Sequence, residues 1–144
     1  MPLVRLAIIF YFCFSSNLIA KENIQNIDLK NLQKLKTKEI QSTFIDTVSI
    51  GYRVNGNEFI EWIENENKGK LTINNQDTFF NYKINASKIC FEFNDWECFR
   101  VYQKKEDSDR NGEYYFVQKN IVIAKITKLQ PIDEYKAELK KNQE

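Results

Sequence analysis

The stretch ICFEFNDWECFRVY, residues 89–102, decides the expected fold because its apolar residues alternate with other residues along two short runs. Successive side chains of a β-strand point to opposite faces, so this alternation predicts two strands. When the chain folds back in the middle of the stretch, Cys90 lies opposite Cys98 and Ile89 lies opposite Phe99. The stretch therefore predicts a β-hairpin with its apolar side chains on one face and its two cysteines directly opposed.

The N-terminus, MPLVRLAIIFYFCFSSNLIAK, has the layout of a secretory signal peptide. Arg5 precedes an apolar run from Leu6 to Phe14, which is far shorter than the about 20 apolar residues that a membrane-spanning helix needs. An uncleaved anchor and a buried N-terminal helix are the alternatives. We predict that a signal peptide from Met1 to Ala20 is removed, which leaves a periplasmic or secreted chain without a stable membrane span.

The two cysteines of the hairpin are expected to form a disulfide. Cleavage of the leader would remove Cys13 and leave Cys90 and Cys98 as a pair, and paired cysteines in an exported chain are by default bonded. A zinc site would need about four ligands, usually cysteine or histidine, and the sequence contains no histidine. A thioredoxin-like redox motif would space its cysteines much more closely. We therefore predict a structural disulfide, with no metal and no cofactor.

The charge of the chain argues against nucleic acid as a partner. The whole sequence has a formal net charge of +1, and removal of Arg5 with the leader brings it to zero. Binding to a phosphate backbone depends on a concentrated positive field. We therefore expect no nucleic-acid partner.

The two ends of the mature chain predict helices. Residues 21–42 form an amphipathic segment, in which Asp28 can cap a helix over Asn26 to Ile40. We interpret this helix as a cover for one end of a sheet rather than as a membrane-surface helix. Pro131 ends the strand pattern, and residues 131–144 predict a C-terminal helix. The apolar positions of the two helices are Leu29, Leu32 and Leu35 in the first, and Tyr135 and Leu139 in the second.

Residues 43–130 predict a single antiparallel β domain of about seven or eight short strands joined by tight turns. Asn55–Gly56, Asn75–Gln76–Asp77 and Lys119–Asn120 are typical turn sequences. A meander of this length tends to close on itself, because closure removes its unpaired edges. We predict a mainly β fold, with a small barrel-like or strongly curved sheet and a helix at each terminus.

No catalytic signature stands out. The absence of histidine removes the usual base of serine and cysteine triads, and the glycines stand singly, so no phosphate loop is present. A carboxylate pair could still serve a hydrolase, but we interpret the acids around Trp62 as a solvated strand face and turn. These acids are Glu58, Glu61, Glu64 and Glu66. We therefore expect a non-enzymatic protein.

Aromatic residues are the candidate binding residues. Trp96, between Asp95 and Glu97 in the hairpin turn, is placed to anchor a periplasmic protein partner, and Trp62 and Tyr52 are further candidates. The alternative is a lipocalin-like carrier that holds a small apolar ligand in an aromatic-lined barrel mouth. A barrel of this size can also be filled by its own side chains.

Four segments, EFIEWIENENKGKL, NYKINASKICFEF, CFRVY and GEYYFV, carry a resemblance to a family. In this order and spacing they resemble a domain-of-unknown-function family of small exported alphaproteobacterial proteins. Phe80-Asn81-Tyr82 stands where that family has Gly-x-Trp. The resemblance covers roughly residues 43–126; it implies a periplasmic compartment and no particular activity.

Overall fold

The computed structural model describes residues 24–104 and 112–144. The predicted signal peptide, residues 1–20, and residues 105–111 of the charged loop KKEDSDRNG lie outside the described residues. The strands are β1 (Leu32–Lys34), β2 (Thr47–Arg53), β3 (Glu58–Ile63), β4 (Lys68–Ile73), β5 (Gln76–Asn85), β6 (Lys88–Glu92), β7 (Trp96–Lys104), β8 (Tyr114–Gln118) and β9 (Ile121–Pro131). The helices are α1 (Thr37–Phe44) and α2 (Ile132–Lys141), and 3-10 turns at Ile24–Asn26 and Leu29–Asn31 precede β1.

Strands β2 to β9 form a closed antiparallel barrel of eight strands. Each strand pairs with the next along the chain, and β9 pairs back with β2 from Thr47↔Pro131 to Arg53↔Ala124. Closure leaves no free edge along the main sheet, as expected for a long meander. The predicted fold class is confirmed, including the C-terminal helix, which begins directly after Pro131.

The cysteine hairpin has the predicted register. Cys90 pairs with Cys98 and Ile89 pairs with Phe99. The cysteines are bonded, with their Cα atoms 4.0 Å apart. Ile89 and Phe99 are buried in the barrel, so the disulfide faces the outside of the wall and fixes the register of β6 against β7.

Tight turns connect most of the strands. The central residues of the turns Asn74–Asn75, Ala86–Ser87 and Lys119–Asn120 all have positive φ, which two-residue hairpin turns of type I′ require. Lys119–Asn120 and Asn55–Gly56 are turns as predicted. The turn predicted at Asn75–Gln76–Asp77 is shifted, because Gln76 and Asp77 already pair with β4.

The N-terminal helix is present, but its predicted position is wrong. Helix α1 begins at Thr37, with the Glu39 carboxylate accepting the Lys36 N–H at 2.7 Å. Asp28 caps a 3-10 turn instead, accepting the Lys30 N–H at 2.9 Å.

Long-range pairing explains the difference. Strand β6 pairs with β7 only as far as Ile89 opposite Phe99, and β1 occupies the same edge of β7 beyond that pair, with Leu32 opposite Lys104. Leu29 and Leu32 pack outside the barrel, against a small cluster that includes Tyr115 and Val122, whereas Leu35 is buried in the main core. Tertiary contacts therefore override the local helical spacing.

The barrel has two different ends. The end with the turns at residues 64–67 and 86–87 is here called the closed end, because α1 lies against it. Ile40 and Phe44 of α1 are completely buried. The ring of Phe44 packs against Tyr114 and Phe116, with centroids 5.4 and 5.8 Å apart. The interior is thus filled from this end by the helix.

The opposite end, here called the open end, has the turns at residues 54–57, 74–75, 93–95 and 119–120. Neither α1 nor α2 covers it: α1 contacts β2, β5 and β6 from the closed end, and α2 packs outside β2 and β9. Any access to the barrel interior through the described part of the chain is therefore at the open end.

Candidate binding site

A small cavity lies inside the open end. Its volume is about 50 Å³, and its walls are mainly Phe59, Leu71, Phe91, Phe93, Phe99 and Phe116. The ring of Phe91 lies in the middle of the aromatic wall, with centroid distances of 5.9 Å to Phe99, 6.0 Å to Phe116 and 6.3 Å to Phe93. These spacings are those of packed aromatic pairs. The rings therefore fill most of the barrel and leave only a narrow space.

Glu61 lines this cavity and is almost completely buried, with 4% of its surface exposed. Phe59, Glu61 and Ile63 alternate with outward residues along β3, so all three point into the barrel. The interpretation of Glu61 as part of a solvated face is wrong. Strand alternation places it inside, whereas the neighbouring acids Glu58 and Glu64 are exposed.

The environment of Glu61 disfavours its charged form. Burial raises the pKa of the Glu61 carboxyl to about 8, and the positive charge of Arg53 offsets this only in part. Within residues 24–104 and 112–144, Oε1 of Glu61 has no hydrogen-bond partner. At neutral pH the group is therefore mostly a neutral carboxylic acid inside an aromatic chamber.

Ser49 is the cross-strand neighbour of Glu61. The two residues are directly paired between β2 and β3, and Ser49 is completely buried. Its Oγ is likewise without a hydrogen-bond partner among the described residues. A buried polar atom without a partner costs about 1–3 kcal/mol, and such atoms are rare in folded proteins. Here two of them belong to directly paired residues, of which Glu61 lines the cavity and Ser49 lies next to it on β2.

Two further charged residues line the cavity. Arg53 ends β2, and Glu97 lies near the start of β7; both are exposed at the open end. Their charges are of opposite sign, so the cavity as a whole contains two acids and one base. Across the described ranges, no cluster of three or more His, Cys, Asp or Glu side chains could hold a metal ion.

Large apolar side chains are exposed around the open end. Phe93 belongs to the turn between β6 and β7, Val54 to the turn between β2 and β3, and Ile121 begins β9. We call these three residues the rim. Their exposed fractions are 37%, 46% and 52%. The rim therefore places exposed apolar surface at the open end on three separate hairpins, and its Phe93 also lines the cavity.

The three aromatic residues predicted for binding lie in different places. Trp96 is 42% exposed on the outer wall beside the open end, with Lys83 Nζ 4.2 Å from its ring centroid. Tyr52 is exposed on the same half of the barrel, and the charge of Glu58 raises the pKa of its phenol.

Trp62 is separate from these two. It is half-buried against α2, with its ring 5.2 Å from Tyr135 and with Lys70 Nζ 4.6 Å from its centroid. Trp96 and Tyr52 lie at the open end of the barrel. Trp62 lies elsewhere, on the outer wall, where it packs against Tyr135 of α2. Their role in binding stays a prediction.

The fold and the site define a class, a closed meander barrel with one plugged and one accessible end. The sequence matches no protein-family model, and it matches neither a curated protein nor a solved structure. The predicted resemblance to an exported family therefore stays a prediction. No helix within residues 24–104 and 112–144 is long and apolar enough to cross a membrane.

Proposed function

We propose that this chain is a non-enzymatic binding module that holds a protein partner by the open end of its barrel. The supporting observation is the combination of an exposed apolar rim with a cavity of about 50 Å³. Pockets that enclose a whole small molecule usually measure roughly 300–1,000 Å³. The cavity suits a single inserted group of a larger partner.

The rim favours a protein over a small ligand. Phe93, Val54 and Ile121 stand on separate hairpins, and a group inside the cavity would leave much of their surface in water. Exposed apolar patches rimmed by polar residues are typical of protein interaction sites. Trp96, on the adjacent outer wall, would extend this surface.

The compartment is part of the proposal. The Cys90–Cys98 disulfide fits an oxidising compartment, and we propose that the mature chain acts in the periplasm or is secreted. Its partner would then be another exported protein. A lipocalin-like carrier of a small apolar ligand is less well supported, because the barrel is nearly filled by its own rings.

The test uses site-specific photo-crosslinking followed by binding measurements. A photo-reactive residue at Val54 should capture one protein, and the same residue at Lys136 on the exposed surface of α2 should not. With the captured partner purified, Phe93→Ser should weaken binding by about 30-fold or more, as expected for an interface anchor. The matched control is Phe79→Ser, an exposed phenylalanine on the outer wall of β5.

Two results would contradict the proposal. One is a partner that binds Phe93→Ser and the unchanged protein equally well while the variant is still folded. The other is hydrolytic turnover that is lost on Glu61→Gln, because Glu61 and Glu97 would then act as the carboxylates of an enzyme.

A further inference from the structure

The unsatisfied carboxyl of Glu61 in the cavity wall, with the unsatisfied hydroxyl of Ser49 beside it, indicates what the inserted group must supply. Oε1 of Glu61 and Oγ of Ser49 lack hydrogen-bond partners in the described structure. They belong to directly paired residues. An ionised carboxylate only accepts hydrogen bonds, so a group that binds the ionised form of Glu61 must donate to it. A purely apolar group would leave these atoms unsatisfied and would gain no hydrogen bond from them.

We propose that the protein partner anchors itself by a lysine side chain, whose ammonium group enters the cavity and binds the Glu61 carboxylate, beside the Ser49 hydroxyl. This inference rests on the proposed function of the open end. The ammonium group has three donors, which is enough to satisfy both atoms. Its unbranched stem can run along the phenylalanine walls, as lysine stems commonly do on apolar surface.

The charges of the cavity favour a cation. Arg53, Glu61 and Glu97 are the ionisable side chains of the cavity wall within the described ranges, so once Glu61 gives up its proton the acids outnumber the single base. The remaining lining from β4, β6, β8 and β9 is apolar. The faces of the phenylalanine rings add attraction for a cation. The volume of about 50 Å³ favours a slim ammonium over the wider, planar guanidinium of arginine.

The protonation state of Glu61 determines whether binding of the ammonium group releases a proton. In the unoccupied protein Glu61 is mostly protonated below about pH 8, because burial raises its pKa. Binding then converts the carboxylic acid and the free ammonium into an ion pair, and the carboxyl proton leaves to solvent through the open end. The ammonium keeps its own protons, since its ordinary pKa of about 10.4 is well above this range. Affinity for the cation should therefore increase with pH until about pH 8 and then level off.

The experiment uses n-butylammonium as the lysine side chain and 1-butanol as its neutral counterpart, each titrated into the intact chain. Binding is followed by calorimetry and by the ring resonances of Phe91 and Phe93. We expect n-butylammonium affinity to increase by up to about tenfold per pH unit between about pH 6 and pH 8. We expect 1-butanol to bind more weakly and independently of pH.

The variants separate the contributions of Glu61 and Ser49 from general effects of substitution. Glu61→Gln keeps the shape of the side chain and should remove both the pH dependence and most of the affinity. Ser49→Ala should weaken binding less and keep the pH dependence. Glu64→Gln makes the same change on the exposed side chain beyond β3, at the closed end, and should behave like the unchanged protein.

The inference is overturned if n-butylammonium does not saturate the cavity, if 1-butanol binds equally well, or if Glu61→Gln binds n-butylammonium like the unchanged protein. Partner binding distinguishes this failure from failure of the proposed function. A partner that needs Phe93 but tolerates Glu61→Gln would leave the open end as the binding surface and remove the lysine anchor. A partner indifferent to Phe93→Ser would remove the proposed function itself.

Discussion

The closed and open ends of the barrel differ in how their polar groups are satisfied. At the closed end Thr47 Oγ1 donates to the Phe44 carbonyl at 2.6 Å, and Tyr82 OH donates to the Glu64 carbonyl at 2.6 Å. Two residues farther along β2 towards the open end, Ser49 and its cross-strand partner Glu61 keep unsatisfied atoms, as far as the described residues extend. Strand β2 thus carries a satisfied hydroxyl at Thr47, beside α1, and an unsatisfied hydroxyl at Ser49, next to Glu61 of the cavity wall. Local violations of packing rules are expected at functional sites, where a partner completes them.

Removal of the ring that plugs the closed end should have the largest effect. Phe44 is completely buried, so Phe44→Ala should lower the free energy of unfolding by about 3–5 kcal/mol. Phe93→Ala at the open end should cost less than about 2 kcal/mol, because its ring is partly in water already. Urea unfolding of the two variants measures both values. Equal losses of unfolding free energy in the two variants would contradict the difference between a structural closed end and an accessible open end.

Glu61 should make the protein less stable as the pH rises. Its pKa is about 8 in the folded chain against an ordinary value of 4.5, so between these values the folded state holds more protons than the unfolded state. The free energy of unfolding should then fall by up to about 1.4 kcal/mol per pH unit in this window and level off above it. Glu61→Gln should remove this slope, and Glu64→Gln should keep it. If the pH dependence of the unfolding free energy remains in Glu61→Gln, it must come from other ionisable groups.

Loss of the disulfide should have an intermediate effect. Closing a short loop is worth roughly 2–3 kcal/mol through the entropy of the unfolded chain, so the double variant Cys90→Ser with Cys98→Ser should lose about that much. The hairpin carries Phe91, Phe93 and Phe99 of the cavity wall. We therefore expect partner binding at the open end to weaken along with stability. A variant with unchanged stability would show that pairing with β5 and β8 already fixes the hairpin.

Trp96→Ala should have the smallest effect on stability. The ring is exposed on the outer wall and contacts Lys83, so the thermal midpoint should stay nearly unchanged. If the partner covers the outer wall next to the rim, its binding should weaken. The comparison of melting curves with partner affinity checks both statements. A large fall in the thermal midpoint would show that Trp96 is part of the structural wall.

The sequence predicted those parts of the fold that depend on local alternation. The register of Cys90 against Cys98 followed from period-two patterning, and the closed meander followed from the succession of short strands. The position of the N-terminal helix did not, because Leu32 pairs with Lys104, far along the chain. No local pattern contains that contact.

The candidate site was only partly visible in the sequence. Glu61 stands among other acids, which suggested a solvated face, but its parity with Phe59 and Ile63 was a signal that it points inwards. The pairing of Ser49 with Glu61 depends on the register of β2 against β3. The size of the cavity depends on how rings from several strands fill one interior, and sequence patterns do not give volumes.

The pKa of Glu61 is the most direct test of the difference between the two ends. Protein labelled with ¹³C at the glutamate side-chain carboxyls can be titrated by NMR, and the Glu61→Gln variant identifies the resonance. We expect the Glu61 carboxyl to titrate at about 8 in the protein alone, because it is buried without a partner. A titration near the ordinary value of 4.5 would show that the carboxyl is solvated or already satisfied, and would contradict an unfinished binding site at the open end.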